Sequence, residues 1–146
     1  MRLLLAAAVL AAPLLAQTRV EYVGGTLGGI ETGAGGSLDV SDSHYFAFYT
    51  KKSQFRVAYD RINSIEYGQQ VSHRVIMAFA ISPIFLLSKK RKHFLSIEYT
   101  NPEGGHEAMV FQVDKNDIRA ALVSLEARTG VKIEYQDQDA RKAGHG

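Results

Sequence analysis

The chain has 146 residues and no cysteine, so no disulfide and no cysteine-ligated metal can brace it. It has no apolar run approaching the ~20 residues that a membrane-spanning helix needs. It also lacks an excess of either charge: 17 Lys and Arg face 15 Asp and Glu, a balance that argues against a general nucleic-acid binder. Charge can matter here only where it is clustered.

Motifs that carry chemistry are missing too. Seven of the thirteen residues from Gly24 to Gly36 are glycine. They form no G-x-G-x-x-G, and no Gly-Lys-Ser or Gly-Lys-Thr follows, so tight turns and close backbone contacts are expected rather than a phosphate cradle. The histidines, His44, His73, His93, His106 and His145, form no H-x-H, H-x-x-x-H or H-E-x-x-H. Asp39, Asp42 and His44 lack the oxygen spacing of a calcium loop and read as a polar turn. There is no G-x-S-x-G elbow. Glu66 and the pair Glu103 and Glu107 are carboxylates without a visible partner. The expectation is a protein without catalytic residues, metal or cofactor. It would be revised if the fold placed His44 or His106 in a cleft with two carboxylates.

What is present begins with an export signal. Arg2, the apolar block Leu3 to Leu15 and the small Ala16 follow the charged, apolar, small-residue order of a secretory signal peptide cleaved after Ala16. The expected location is therefore periplasmic or extracellular. Residues 17–135 form one expected domain, long enough at about 120 residues to bury a core without cross-links. Residues 136–146, with no apolar side chain larger than alanine, read as a disordered polar tail.

Within the domain the hydrophobic period is two for most of the chain. Val20 and Tyr22 mark a strand, as do Leu38 and Val40, Phe46 and Phe48, and Phe55, Val57 and Tyr59. Ile62, Ile65 and Tyr67 lie around a short helical turn that leads into another strand. Leu95, Ile97 and Tyr99 alternate against Ser96 and Glu98, and "NPEGG" turns the chain into Met109, Phe111 and Val113. The period then becomes helical. Ile118, Ala121, Leu122 and Leu125 share one face, Asp114 is the expected N-cap, and Gly130 ends the helix. Val131, Ile133 and Tyr135 return to alternation. Strands followed by one helix, rather than alternating with helices, argue against a parallel-sheet nucleotide fold.

Leu38, Val40, Phe46, Phe48, Phe55, Val57, Ile62, Ile65 and Glu66 together resemble the opening strands of pleckstrin-homology-like domains, particularly the GRAM and bacterial types. The likeness extends over about residues 20 to 135. It implies a mainly β fold, a bent and partly open antiparallel barrel capped by the helix Asp114 to Thr129. It also implies binding of lipids or proteins rather than catalysis. The glycine-rich entry and an apolar insertion at 75–87 depart from the family pattern.

That insertion, "VIMAFAISPIFLL", runs through Ser88 into Lys89, Lys90, Arg91 and Lys92. As a helix its thirteen residues reach about 20 Å against a ~30 Å hydrocarbon core, and Pro83 interrupts it. Three roles are open to it. It can fold back so that Ile76, Phe79, Ile81, Phe85 and Leu87 complete the core. It can dip into an anionic membrane surface through Phe79, Ile84 and Phe85, with Arg74, Lys89, Lys90, Arg91 and Lys92 holding the head groups. Or it can form a homo-oligomer or protein-partner interface. The membrane role is the favoured expectation, and the oligomeric state is left open.

Overall fold

The computed structural model describes residues 17–82 and 92–136. The expected signal peptide, the tail beyond Gln136, and Ile84, Phe85, Leu87, Lys89, Lys90 and Arg91 lie outside the described residues.

The strands are β1 (Gln17–Gly25), β2 (Gly35–Asp39), β3 (Tyr45–Tyr49), β4 (Gln54–Ala58), β5 (Ile62–Gly68), β6 (His93–Thr100), β7 (His106–Val113) and β8 (Ile133–Tyr135). A 3-10 turn, Tyr59–Arg61, precedes β5. Helix α1 (His73–Ala78) follows β5, and α2 (Ile118–Thr129) follows β7. All eight strands join in one sheet in the order β4-β3-β2-β1-β7-β6-β5-β8. The two edge strands do not pair, so the sheet is not closed.

An antiparallel fold is expected throughout, and one strand departs from it: β8 runs parallel to β5, with Ile65 opposite Ile133 and Tyr67 opposite Tyr135. A parallel neighbour needs a long crossover, and β6, β7 and α2 together supply it. Gln136, assigned from the sequence to the tail, continues this pairing by donating its N–H to the Tyr67 carbonyl at 3.0 Å.

The inner face is built as the alternation requires. Val20, Tyr22, Leu38, Phe46, Phe48, Val57, Ile65, Tyr67, Leu95, Ile97, Met109 and Phe111 are buried in one cluster. Phe48 and Phe111, from strands on opposite sides of β1, meet with ring centroids 4.8 Å apart, a tilted geometry that the ring quadrupoles favour. Helix α2 lays Ile118, Ala121, Leu122 and Leu125 on this cluster. Its last turn reaches the far side of the sheet: the Arg128 guanidinium lies 5.7 Å from the Tyr59 ring centre and donates to the Ser41 carbonyl at 3.4 Å.

The start of α2 differs from expectation. Asp114 closes a turn ahead of the helix, its Oδ1 accepting the Asn116 N–H at 2.8 Å. Asp117 is the N-cap residue, without a side-chain cap bond. An Asp oxygen satisfies a backbone N–H two residues on as readily as one inside a helix, so the residue type alone does not fix the boundary. Gly130 ends the helix in the left-handed conformation, as expected.

The outer face is the larger correction. Ser96 and Glu98 read as the solvent side of β6, yet His93 to Ile97 are all buried, as are Ala108 to Phe111 in β7. A second apolar cluster lies on this face, made of Val23, Val71, Val75, Ile81, Phe94 and Val110, with Ile76 and Phe79 packed against it. Half of its buried members come from residues 71–81, which lie over the centre of the sheet.

Candidate functional site

The apolar stretch opens with Ser72, whose hydroxyl accepts the Val75 N–H at 3.3 Å and caps α1. Val75 drops into the outer cluster one turn later. The helix stops at Phe79, and Ala80 takes a left-handed conformation at φ 50° that reverses the chain. Ile81 then folds back, donating its N–H to the Ile76 carbonyl at 3.1 Å, and is buried. Up to Ile81, therefore, the stretch covers the sheet: Val75 and Ile81 are buried, and Ile76 and Phe79 are half-buried. Met77 alone among its large side chains is exposed, at 68%.

Arg74 completes the attachment. Its guanidinium donates to Glu98 through both terminal nitrogens, at 2.8 Å each, and to Glu66 Oε1 at 2.9 Å. The Arg74 side chain is 57% exposed, whereas those of Glu66 and Glu98 are 5% and 13% exposed. One cation thus answers two carboxylates on neighbouring strands of the outer face. The hydrogen bonds from Arg74 hold the Glu98 carboxyl below its ordinary range, against the opposing effect of its partial burial. The same bonds push the guanidinium pKa up.

This arrangement changes the roles of the expected site residues. Arg74 is committed to Glu66 and Glu98 and is outnumbered by them, which makes it a poor anion receptor. Phe79 is half-buried and takes part in the outer cluster. Lys92, half-buried, stands at the entry to β6. Next to it His93 is buried, with its Nδ1 2.9 Å from the Tyr67 hydroxyl.

His106 meets the condition set for reconsidering catalysis. It lines an open groove of about 800 Å³ between α1 and the β6–β7 hairpin, together with Arg74, Phe79, Glu98, Glu107 and Thr26. The two carboxylates are already engaged. Arg74 keeps Glu98 ionised, and Glu107 hydrogen-bonds the Tyr99 phenol, whose pKa burial and that carboxylate push up. A carboxylate held in its charged form by a bidentate arginine is a weak base, so the groove has the residue types of acid–base chemistry without a carboxylate poised for it. His44 lies on an exposed turn, where Asp42 Oδ1 accepts the N–H groups of His44 and Tyr45 at 2.7 and 3.0 Å. These bonds lower the Asp42 pKa. Among the described residues no group of three or more His, Asp or Glu could hold a metal ion, and no helix is long and apolar enough to cross a membrane.

Sequence reasoning missed the partners of Arg74. A detectable signal existed, because Glu66 and Glu98 sit in strands whose neighbours are otherwise apolar, and such carboxylates need a cation. No protein-family model matches the chain, and no curated protein matches it significantly.

Proposed function

We propose that the protein is an exported, non-catalytic binding module of pleckstrin-homology-like fold that attaches to an anionic membrane surface through the segment ending in Lys89, Lys90, Arg91 and Lys92. The fold reading is supported by the strand order: β1–β4 and β5–β7 form two antiparallel meanders joined by the pairing of β1 with β7, and a helix follows directly and covers the inner core. A bent barrel with one capping helix has this connectivity.

The observation that carries the docking reading is the anchoring of the two ends. Ile81 is buried on the outer face and His93 is buried at the start of β6. The residues between them hold Ile84, Phe85 and the basic run. Phe79 and Arg74 leave the docking set, since each already has a structural role.

Magnitudes show what the remaining residues must supply. Four cations at ~1 kcal/mol each give about 4 kcal/mol, which corresponds to roughly millimolar binding. Burying Ile84 and Phe85 in the lipid boundary adds ~1.5–3 kcal/mol each. The sum holds a protein on a bilayer reversibly, and neither part does so alone.

Co-sedimentation with phosphatidylcholine vesicles, with and without phosphatidylglycerol, tests the reading. Binding is expected only with the anionic lipid, and it should vanish when the four cations become serine. Absence of binding, or binding that survives the change, overturns it. A protein-partner or homo-oligomer interface is the second reading, favoured by the exposed Met77 on α1. Its signature is a concentration-dependent mass in light scattering that lipid does not alter.

A further inference from the structure

A second groove lies on the outward face of β1, β2 and β3. Register builds it: Arg19 stands opposite Ser37, and Ser37 opposite Tyr49. The inward neighbours Val20, Leu38 and Phe48 are buried, so strand alternation turns Arg19, Ser37 and Tyr49 outward in one row across three strands. The β3–β4 turn adds Lys51. Thr50 Oγ1 fixes that turn by accepting the N–H groups of Lys52 and Ser53 at 3.3 and 2.9 Å.

The floor of the groove is bare backbone. A Cβ on Gly35 would meet nothing within 4 Å, while one on Gly36 would overlap the Tyr49 carbonyl oxygen. The open groove spans about 610 Å³. Its lining contains two cations and no carboxylate. Among the described residues neither Arg19 nor Lys51 has an ion-pair partner, and neither the Ser37 nor the Tyr49 hydroxyl has a hydrogen-bond partner. Two acids flank it in register, Glu21 opposite Gly35 and Asp39 opposite Gln17, and neither is part of the lining.

We propose that this groove binds a phosphate group. An unpaired guanidinium, an unpaired ammonium and two free hydroxyls around an open glycine floor supply donors from several directions. That suits a tetrahedral oxyanion with three exposed oxygens better than a planar carboxylate with two. The phosphate can belong to a soluble ester or to a lipid head group, and the recognition chemistry is the same for both. The inference does not rest on the docking role of Lys89 to Lys92.

The test is an amide NMR titration of the full chain with glycerol 3-phosphate, alongside co-sedimentation with phosphatidylglycerol vesicles. Saturable shifts are expected at Gly35, Gly36, Ser37 and Lys51. The double variant Arg19→Gln, Lys51→Gln should weaken binding about tenfold or more, the effect of losing charged hydrogen bonds, with the rest of the spectrum unchanged. Gly35→Leu keeps both cations and fills the open floor, and it should weaken binding as well. Serine at positions 89 to 92 should leave these shifts intact. Binding of the ester assigns the site to soluble phosphates, and vesicle binding that needs Arg19 and Lys51 without ester binding assigns it to a head group. Absence of both, or binding indifferent to the double variant and to Gly35→Leu, overturns the proposal.

Discussion

Gly24 lies directly beneath Ile81: a Cβ on Gly24 would come within 2.9 Å of the Ile81 Cγ2 methyl. This contact joins two features of the sequence, the glycine-rich entry and the apolar stretch from Val75. The glycine leaves β1 flat on its outer face, and the isoleucine folds onto the flat place. Alternation turns Val23 to the outer cluster, and a β-bulge between Tyr22 and Gly24 alters the register of β1 so that Gly24 faces the same side.

The contact makes these two positions energetically coupled. Gly24→Ala is expected to destabilise by roughly 1–2 kcal/mol through overpacking, and Ile81→Ala by about 2–3 kcal/mol through loss of buried volume. Combined, they should cost less than the sum, because the smaller side chain at 81 makes room for the methyl at 24. Chemical denaturation of the four proteins of the cycle measures this, and strict additivity would show that the two residues do not touch.

Neighbouring glycines are expected to behave oppositely. Gly36→Ala puts a methyl on the Tyr49 carbonyl oxygen and should cost about 1–3 kcal/mol or more, since backbone gives way less easily than a side chain. Gly35→Ala meets open space and should leave stability within roughly 0.5 kcal/mol. Thermal melts of the two single variants decide the matter, and equal melting temperatures would contradict the packing described.

The attachment of α1 should weaken in acid. Arg74 holds Glu98 ionised, so its folded pKa lies below that of the unfolded chain. The stability it contributes is complete above the unfolded value of ~4.3 and is lost as pH falls through the folded pKa. Arg74→Ala should remove this acid-sensitive component. It should cost roughly 1–2 kcal/mol near neutral pH, less than breaking a fully buried pair because water reaches the guanidinium. Urea unfolding of both proteins between pH 3 and pH 7 compares the slopes, and identical pH profiles would mean that the ion pair contributes nothing.

The inner half of this fold was legible in the sequence because it repeats one local rule. Leu38, Phe46, Phe48, Val57, Leu95, Ile97, Met109 and Phe111 fall at period two, and Ile118, Leu122 and Leu125 at helical spacing, so each face announces itself locally. The outer half was not legible, because burial of Phe94, Ser96 and Val110 depends on residues 71–81 arriving from elsewhere in the chain. Short apolar runs give no period by which to judge what they cover. The parallel placement of β8 escaped for a similar reason, since three residues of alternation carry no direction. Of the expected docking residues, Arg74 pairs with Glu66 and Glu98 and Phe79 packs against the outer cluster, contacts with other strands that leave no local signal. The Arg19 groove was invisible, as it exists only once β1, β2 and β3 are in register.

Within one greasy segment, residues 71–82 belong to the fold, and residues 83–92 are proposed to meet an anionic membrane. Hydrogen exchange of the full chain, followed by mass spectrometry with and without phosphatidylglycerol vesicles, tests that division most directly. Amides of α1 and of Ile81 should be protected in the free protein and unchanged by vesicles, whereas those of 83–92 should slow only when vesicles are present. Rapid exchange through 71–82 in the free protein, or vesicle protection that falls there instead, would contradict it.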